Sequence, residues 1–113
     1  MSSVQTPVSD MLVAVKSREV QRGMLAEMGN RQTEARTHFL AAAHLELVLA
    51  DDYERGGDSE LARRGRISAA SCFWRAGDPD RARTMFDDLI QEAPDQADEI
   101  REILAELEHH QRR

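Results

Sequence analysis

A single cysteine in 113 residues, Cys72, excludes an intramolecular disulfide and a thiolate metal cage, so the fold must hold by packing alone. A reducing, cytoplasmic setting suits such a chain. Aromatic residues amount to only 4%, and β-branched residues are sparse, which leaves little material for strands. Long apolar runs are missing as well. The run Met11 to Val15 follows no basic segment and meets Lys16 and Arg18 at once, so neither a leader nor a membrane span is expected. Basic charge is also in deficit. Against 21 acidic residues stand 15 Lys and Arg, a net charge of -6, which disfavours nucleic acid and anionic membranes as partners.

What is present is Ala, Leu, Arg and Glu, all good helix formers. With 41% apolar and 32% charged residues the chain can build one core, so residues 1–113 are expected to form one all-α domain. Punctuation divides it into five helices. Thr6-Pro7 caps and opens the first, Gly29 ends it, and residues 1–6 are expected to be disordered. Its apolar positions Val13, Val20, Met24 and Met28, with Leu12, Val15 and Leu25 beside them, predict one inward stripe.

Asn30 is expected to cap the second helix, which reaches Gly56-Gly57 with Ala35, Phe39, Ala42, Leu45, Leu49 and Tyr53 along one side. Asp58 caps the third, up to Gly77. Asp78-Pro79, a carboxylate cap followed by Pro in the first turn, opens the fourth, which stops before Pro94. Asp95 is expected to cap the last helix, within 97–113, whose Glu99, Glu102, Glu106 and Glu108 give it the polar exterior of a capping element. Connections this short lay consecutive helices antiparallel, as stacked hairpins.

The series Ala70, Phe73, Gly77-Asp78, Ala82, Phe86, Leu89 and Pro94 resembles the tetratricopeptide repeat, a helix-turn-helix unit, over residues 63–96. Arg66 stands where that family usually has Trp, and Leu89 replaces a small residue. Gly29-Asn30, Ala35, Phe39 and Ala42 repeat the theme more faintly, with a turn read as one residue longer. The resemblance implies a superhelix whose first helices line a concave, partner-binding face. On residues 63–96 the groove-facing offsets fall on Arg64, Ile67, Ser71, Trp74 and Arg75. The family's carboxylate-gripping set is not reproduced, because Gly23 and Ser71 replace amide residues.

Chemistry of other kinds finds no support in the residues. His38 and His44 lie on different sides of one helix, and His109-His110 adjoin each other, so no metal site is expected. Ser71-Cys72 has no histidine after it until residue 109 and no glycine-rich elbow around it, so no nucleophile is evident. Gly56-Gly57 is followed by Asp58 and Glu60, which repel phosphate. An enzyme is therefore not expected, nor is a cofactor.

Charge asymmetry remains. Residues 55–83 hold seven Arg against four acids, whereas residues 84–113 hold nine acids against three Arg. Either the Arg side chains clasp neighbouring helices, or they face a partner. Trp74 flanked by Arg75 offers apolar area, an indole donor and a cation, types enriched in binding hot spots, and an acidic peptide or protein suits them. The alternative place for Trp74 is beneath the end of the second helix near Tyr53. With only two units in the stack, a homodimer or a subunit role in a larger assembly is the other expectation.

Overall fold

The computed structural model describes residues 7–111. The Thr6 cap and the expected disorder of residues 1–6 lie outside the described residues. Five α-helices follow in order: α1 (Pro7–Met28), α2 (Gln32–Arg55), α3 (Ser59–Arg75), α4 (Pro79–Glu92) and α5 (Ala97–Gln111). Among the described residues there is no strand. A single turn of 3-10 helix, Pro94–Gln96, joins α4 to α5 and contains Asp95, which the sequence assigned to a cap.

The three turns between α1 and α4 share one construction. At each, a residue with positive φ closes the preceding helix: Asn30 at 58°, Gly57 at 87° and Gly77 at 90°. The next N–H reaches back five residues, from Arg31 to the Ala26 carbonyl, from Asp58 to that of Tyr53 and from Asp78 to that of Phe73. This pattern satisfies carbonyls that a helix end otherwise leaves unpaired. Five positions beyond each positive-φ residue stands a buried alanine, Ala35, Ala62 or Ala82. Its N–H makes the first bond of the new helix, to Arg31, Asp58 or Asp78.

That equivalence corrects two sequence expectations. Asn30 is not a cap of α2 but the left-handed residue that ends α1, a conformation its short polar side chain tolerates. Arg31 takes the cap position without a capping hydrogen bond; its guanidinium donates to the Glu34 carboxylate instead. The first turn is therefore as long as the third, and Asn30 corresponds to Gly77. In this register Gly23 is level with Ala70 and Ala42 with Leu89, so the first unit follows the repeat more closely than the Gly29 alignment indicated. Asp58 and Asp78 do cap as expected, their carboxylates accepting from the N–H groups of Leu61 and Arg81.

Each helix packs on its successor, and α5 also reaches α3. Ser9 meets Asp52, Lys16 meets Glu46 and Glu19 meets His38, which sets α1 and α2 antiparallel. Gly65 against Ala50, His44 against Phe73 and Arg75 over Phe39 do the same for α2 and α3. The result is a plate of 46 × 33 × 17 Å. Small residues, Ala35, Ala42, Ala43, Ala69, Ala70 and Ala82, bring the axes close, and Phe39, Phe73 and Phe86 fill the space between them, all buried. The one charged side chain buried with them, among the described residues, is Glu46, 3.8 Å from Lys16 and hydrogen-bonded by Ser68.

The inward stripe of α1 is the expected one only in part: Leu12, Val13 and Val20 are half-buried, Val20 against the core. Ser9, Gly23 and Ala26 are buried against α2, whereas Val15, Met24, Leu25 and Met28 are exposed. The physical reason is close approach: the α2 side accepts a glycine and an alanine there, so the larger apolar residues turn outward.

Candidate functional site

Alternation of direction collects the C-terminal ends of α1, α3 and α5 and the N-terminal ends of α2 and α4 along one margin of the plate. An open groove of about 860 Å³ lies there. The turn between α1 and α2 contributes Glu27, Gln32 and Arg36; the turn between α3 and α4 contributes Trp74, Arg75, Gly77 and Pro79; α5 contributes Ile103, Glu106, Leu107, His109 and His110.

Trp74 is 93% covered, yet it forms part of the groove wall. The Arg83 guanidinium sits 4.7 Å from the centre of the indole, fixing the ring from the α4 side. Arg75 is half-buried and stacks 5.0 Å over Phe39, which holds its planar fork at the groove. Arg36 is held against the turn, its Nε close above the Cα of Gly77, a contact that a side chain at residue 77 would crowd. Neither Arg36 nor Arg75 pairs with a carboxylate among the described residues.

The other Arg side chains near the third helix divide between the two expected roles. Arg66 bridges Glu54 at 3.1 Å and Asp51 at 3.6 Å, clasping α3 to α2, and this pairing together with Ser59 holds the Glu54 carboxyl below its ordinary range. Arg83 reaches Glu108 at 3.8 Å, joining α4 to α5. Arg81 lies 4.1 Å over Phe73. Cys72 is buried, and burial first of all pushes its thiol up to about 11, far from a reactive thiolate. Among the described residues no three His, Cys, Asp or Glu side chains are grouped to hold a metal ion.

Of the five residues singled out in the sequence, the groove brings together Trp74 and Arg75. Arg64 is exposed and pairs with Glu60 at 3.2 Å, Ile67 packs half-buried against the core, and Ser71 donates to the Ile67 carbonyl. None of those three lines the groove. Trp74 also lies far from Tyr53, which stands at the opposite end of the α2 and α3 pair. Sequence reasoning missed Arg36 and the α5 residues. The signal for them was topological: residues within about two turns of the same-side helix ends share one margin once direction alternates.

The tetratricopeptide repeat family model matches residues 68–95, within the unit 63–96 read from spacing. The described residues thus form an all-helical, tetratricopeptide-like fold with one stretch that matches the repeat itself. The match spans about a quarter of its length and covers the part that supplies Trp74, Arg75, Gly77 and Pro79 to the groove. No curated protein and no solved structure matches it. Tetratricopeptide repeats in general are modules that bind other proteins, and no helix among the described residues is long and apolar enough to cross a membrane.

Proposed function

We propose that this chain is a non-catalytic adaptor that docks an acidic peptide or protein segment in the groove built on Trp74. The carrying observation is that two guanidiniums, Arg36 and Arg75, stand at an apolar wall without carboxylate partners among the described residues. Planar guanidinium forks match carboxylates bidentately, and the indole, Ile103 and Leu107 supply apolar area beside them. Glu27 and Glu106, which line the same groove, repel carboxylates and so confine those of the segment to the two guanidiniums. The expected contact set thus narrows from Arg64, Ile67, Ser71, Trp74 and Arg75 to the last two, with Arg36 added. In this reading residues 1–113 act as one domain, α5 closes the stack, and the setting is cytoplasmic.

Trp74 is the sole tryptophan, so its emission reports directly on the groove. Titration with pools of acidic, neutral and basic peptides is expected to shift that emission for the acidic pool. The double variant Arg36→Glu/Arg75→Glu, with its helical circular dichroism retained, is expected to lose the response. Emission indifferent to all three pools overturns the groove assignment; a response to the basic pool alone overturns the acidic partner.

A further inference from the structure

Among the described residues eight large hydrophobic side chains are exposed, and six of them stand on α1: Val8, Met11, Val15, Met24, Leu25 and Met28. Among the described residues helix α1 packs on α2 alone. Val8, Met11, Val15, Arg18, Arg22 and Leu25 follow one another at spacings of three and four, the a and d positions of a heptad seam. Such a seam buries itself against another helix. None of these six residues lines the Trp74 groove.

We propose that the seam on α1 pairs with the same seam of a second copy, antiparallel, about a two-fold axis near the midpoint between Lys16 and Ser17. An axis there sets Val8 opposite Leu25 of the other copy, Met11 opposite Arg22, and Val15 opposite Arg18. In an antiparallel pair of helices a positions face d positions, and all three layers obey that rule. The contact is isologous, so each half supplies what the other lacks.

Shape and charge along the face both favour this occupant. At the Leu25 end a hollow of about 330 Å³ is lined by Arg22, Leu25, Arg31, Glu34 and His38, while at the other end Val8 and Met11 protrude, each 64% exposed. The axis brings protrusion to hollow. At the protruding end the exposed carboxylates are Asp10 and Asp52, the latter accepting from Ser9 at 2.8 Å. At the hollow end Arg22 is only 3.9 Å from a Glu19 already engaged by His38 and Arg31 is held by Glu34 at 2.8 Å, while Arg18, which makes no ion pair among the described residues, stands beside the axis. The two-fold axis therefore sets Arg22 of one copy toward Asp10 and Asp52 of the other. Arg18 and Arg22 lay their methylene stems along Val15 and Met11 while their charged heads reach the rim.

Sedimentation of the full chain at micromolar concentration is expected to give twice the monomer mass. Met11→Glu/Val15→Glu, placed on exposed positions and checked by circular dichroism, is expected to weaken the dimer at least tenfold. The register is read by oxidation in a Cys72→Ala background. A chain carrying both Val8→Cys and Leu25→Cys is expected to give a covalent dimer, because the two positions lie about 25 Å apart within one helix and cannot join each other. Val8→Cys alone is expected to remain uncrosslinked. A monomeric wild-type chain, a dimer indifferent to Met11→Glu/Val15→Glu, or efficient crosslinking through Val8→Cys alone each overturns the proposal. The Trp74 emission test is independent of every one of these outcomes.

Discussion

The ring of Phe39 lies against the backbone of Gly23 so closely that a β-carbon at residue 23 would stand 2.9 Å from Cε2 of the ring. Phe39 is buried, and a rigid ring has no flexible end to move aside. Gly23→Ala gains up to ~1 kcal/mol of helix propensity but forces overpacking worth ~1–3 kcal/mol. Urea unfolding is expected to show a net loss. Gly65 is the control: its β-carbon would meet that of Ala50 at 3.3 Å, a milder crowding, so Gly65→Ala is expected to be near neutral. Equal stability of the two variants would refute the close approach at residue 23.

The shared turn construction predicts opposite outcomes at two equivalent positions. Gly77 at φ 90° becomes strained on substitution, and a β-carbon there would also meet Arg36 Nε at 3.1 Å. Gly77→Ala is expected to cost ~1–2 kcal/mol, the price of a left-handed L-residue. Asn30→Gly relieves the same conformation and is expected to be neutral or slightly stabilising. Thermal melts of the two variants are expected to bracket the wild type.

Glu46 gives the stability a pH dependence of definite sign. Burial raises its carboxyl above the ordinary 4.5, against the opposing pull of Lys16 and the Ser68 hydrogen bond. The folded state thus holds this proton to a higher pH than the unfolded chain does. Its favourable contribution is complete below the unfolded value and is lost as pH rises through the folded one. Glu46→Gln has no such slope. Relative to wild type, its unfolding free energy is expected to improve from about pH 4 to about pH 7, as the linkage relation requires. Parallel pH profiles would contradict the buried-carboxyl assignment.

Cys72 is expected to resist alkylation in the native protein. Its thiol is buried and raised to about 11. At neutral pH the native reaction is expected to run at least ~100-fold slower than in urea, since only the thiolate attacks. Comparable rates would show that α3 opens readily.

Much of this architecture was legible in the sequence because its signals are local. Asp78-Pro79, Asp58 and the glycine at residue 77 each act within one turn, and they placed α3 and α4 correctly. Phe39, Phe73 and Phe86 announced the core because few other large residues compete for it. Asn30 was misread because the same residue type serves a helix start and a left-handed helix end, and only the backbone angle separates the uses. The α1 stripe was misread in part because Gly23 and Ala26, which carry little hydrophobic weight, are what α2 admits. The groove was half legible: Trp74 and Arg75 came from the repeat pattern, whereas Arg36 and the α5 residues meet them only through alternation over the whole chain.

A slab 17 Å thin has no deep interior. Most of its hidden side chains form one continuous row from Ala26 on the first spiral to Ile100 on the last, each shielded by its immediate neighbours. The outer rod α1, which leans on a single neighbour among the described residues, is where fraying of such an object is expected to begin.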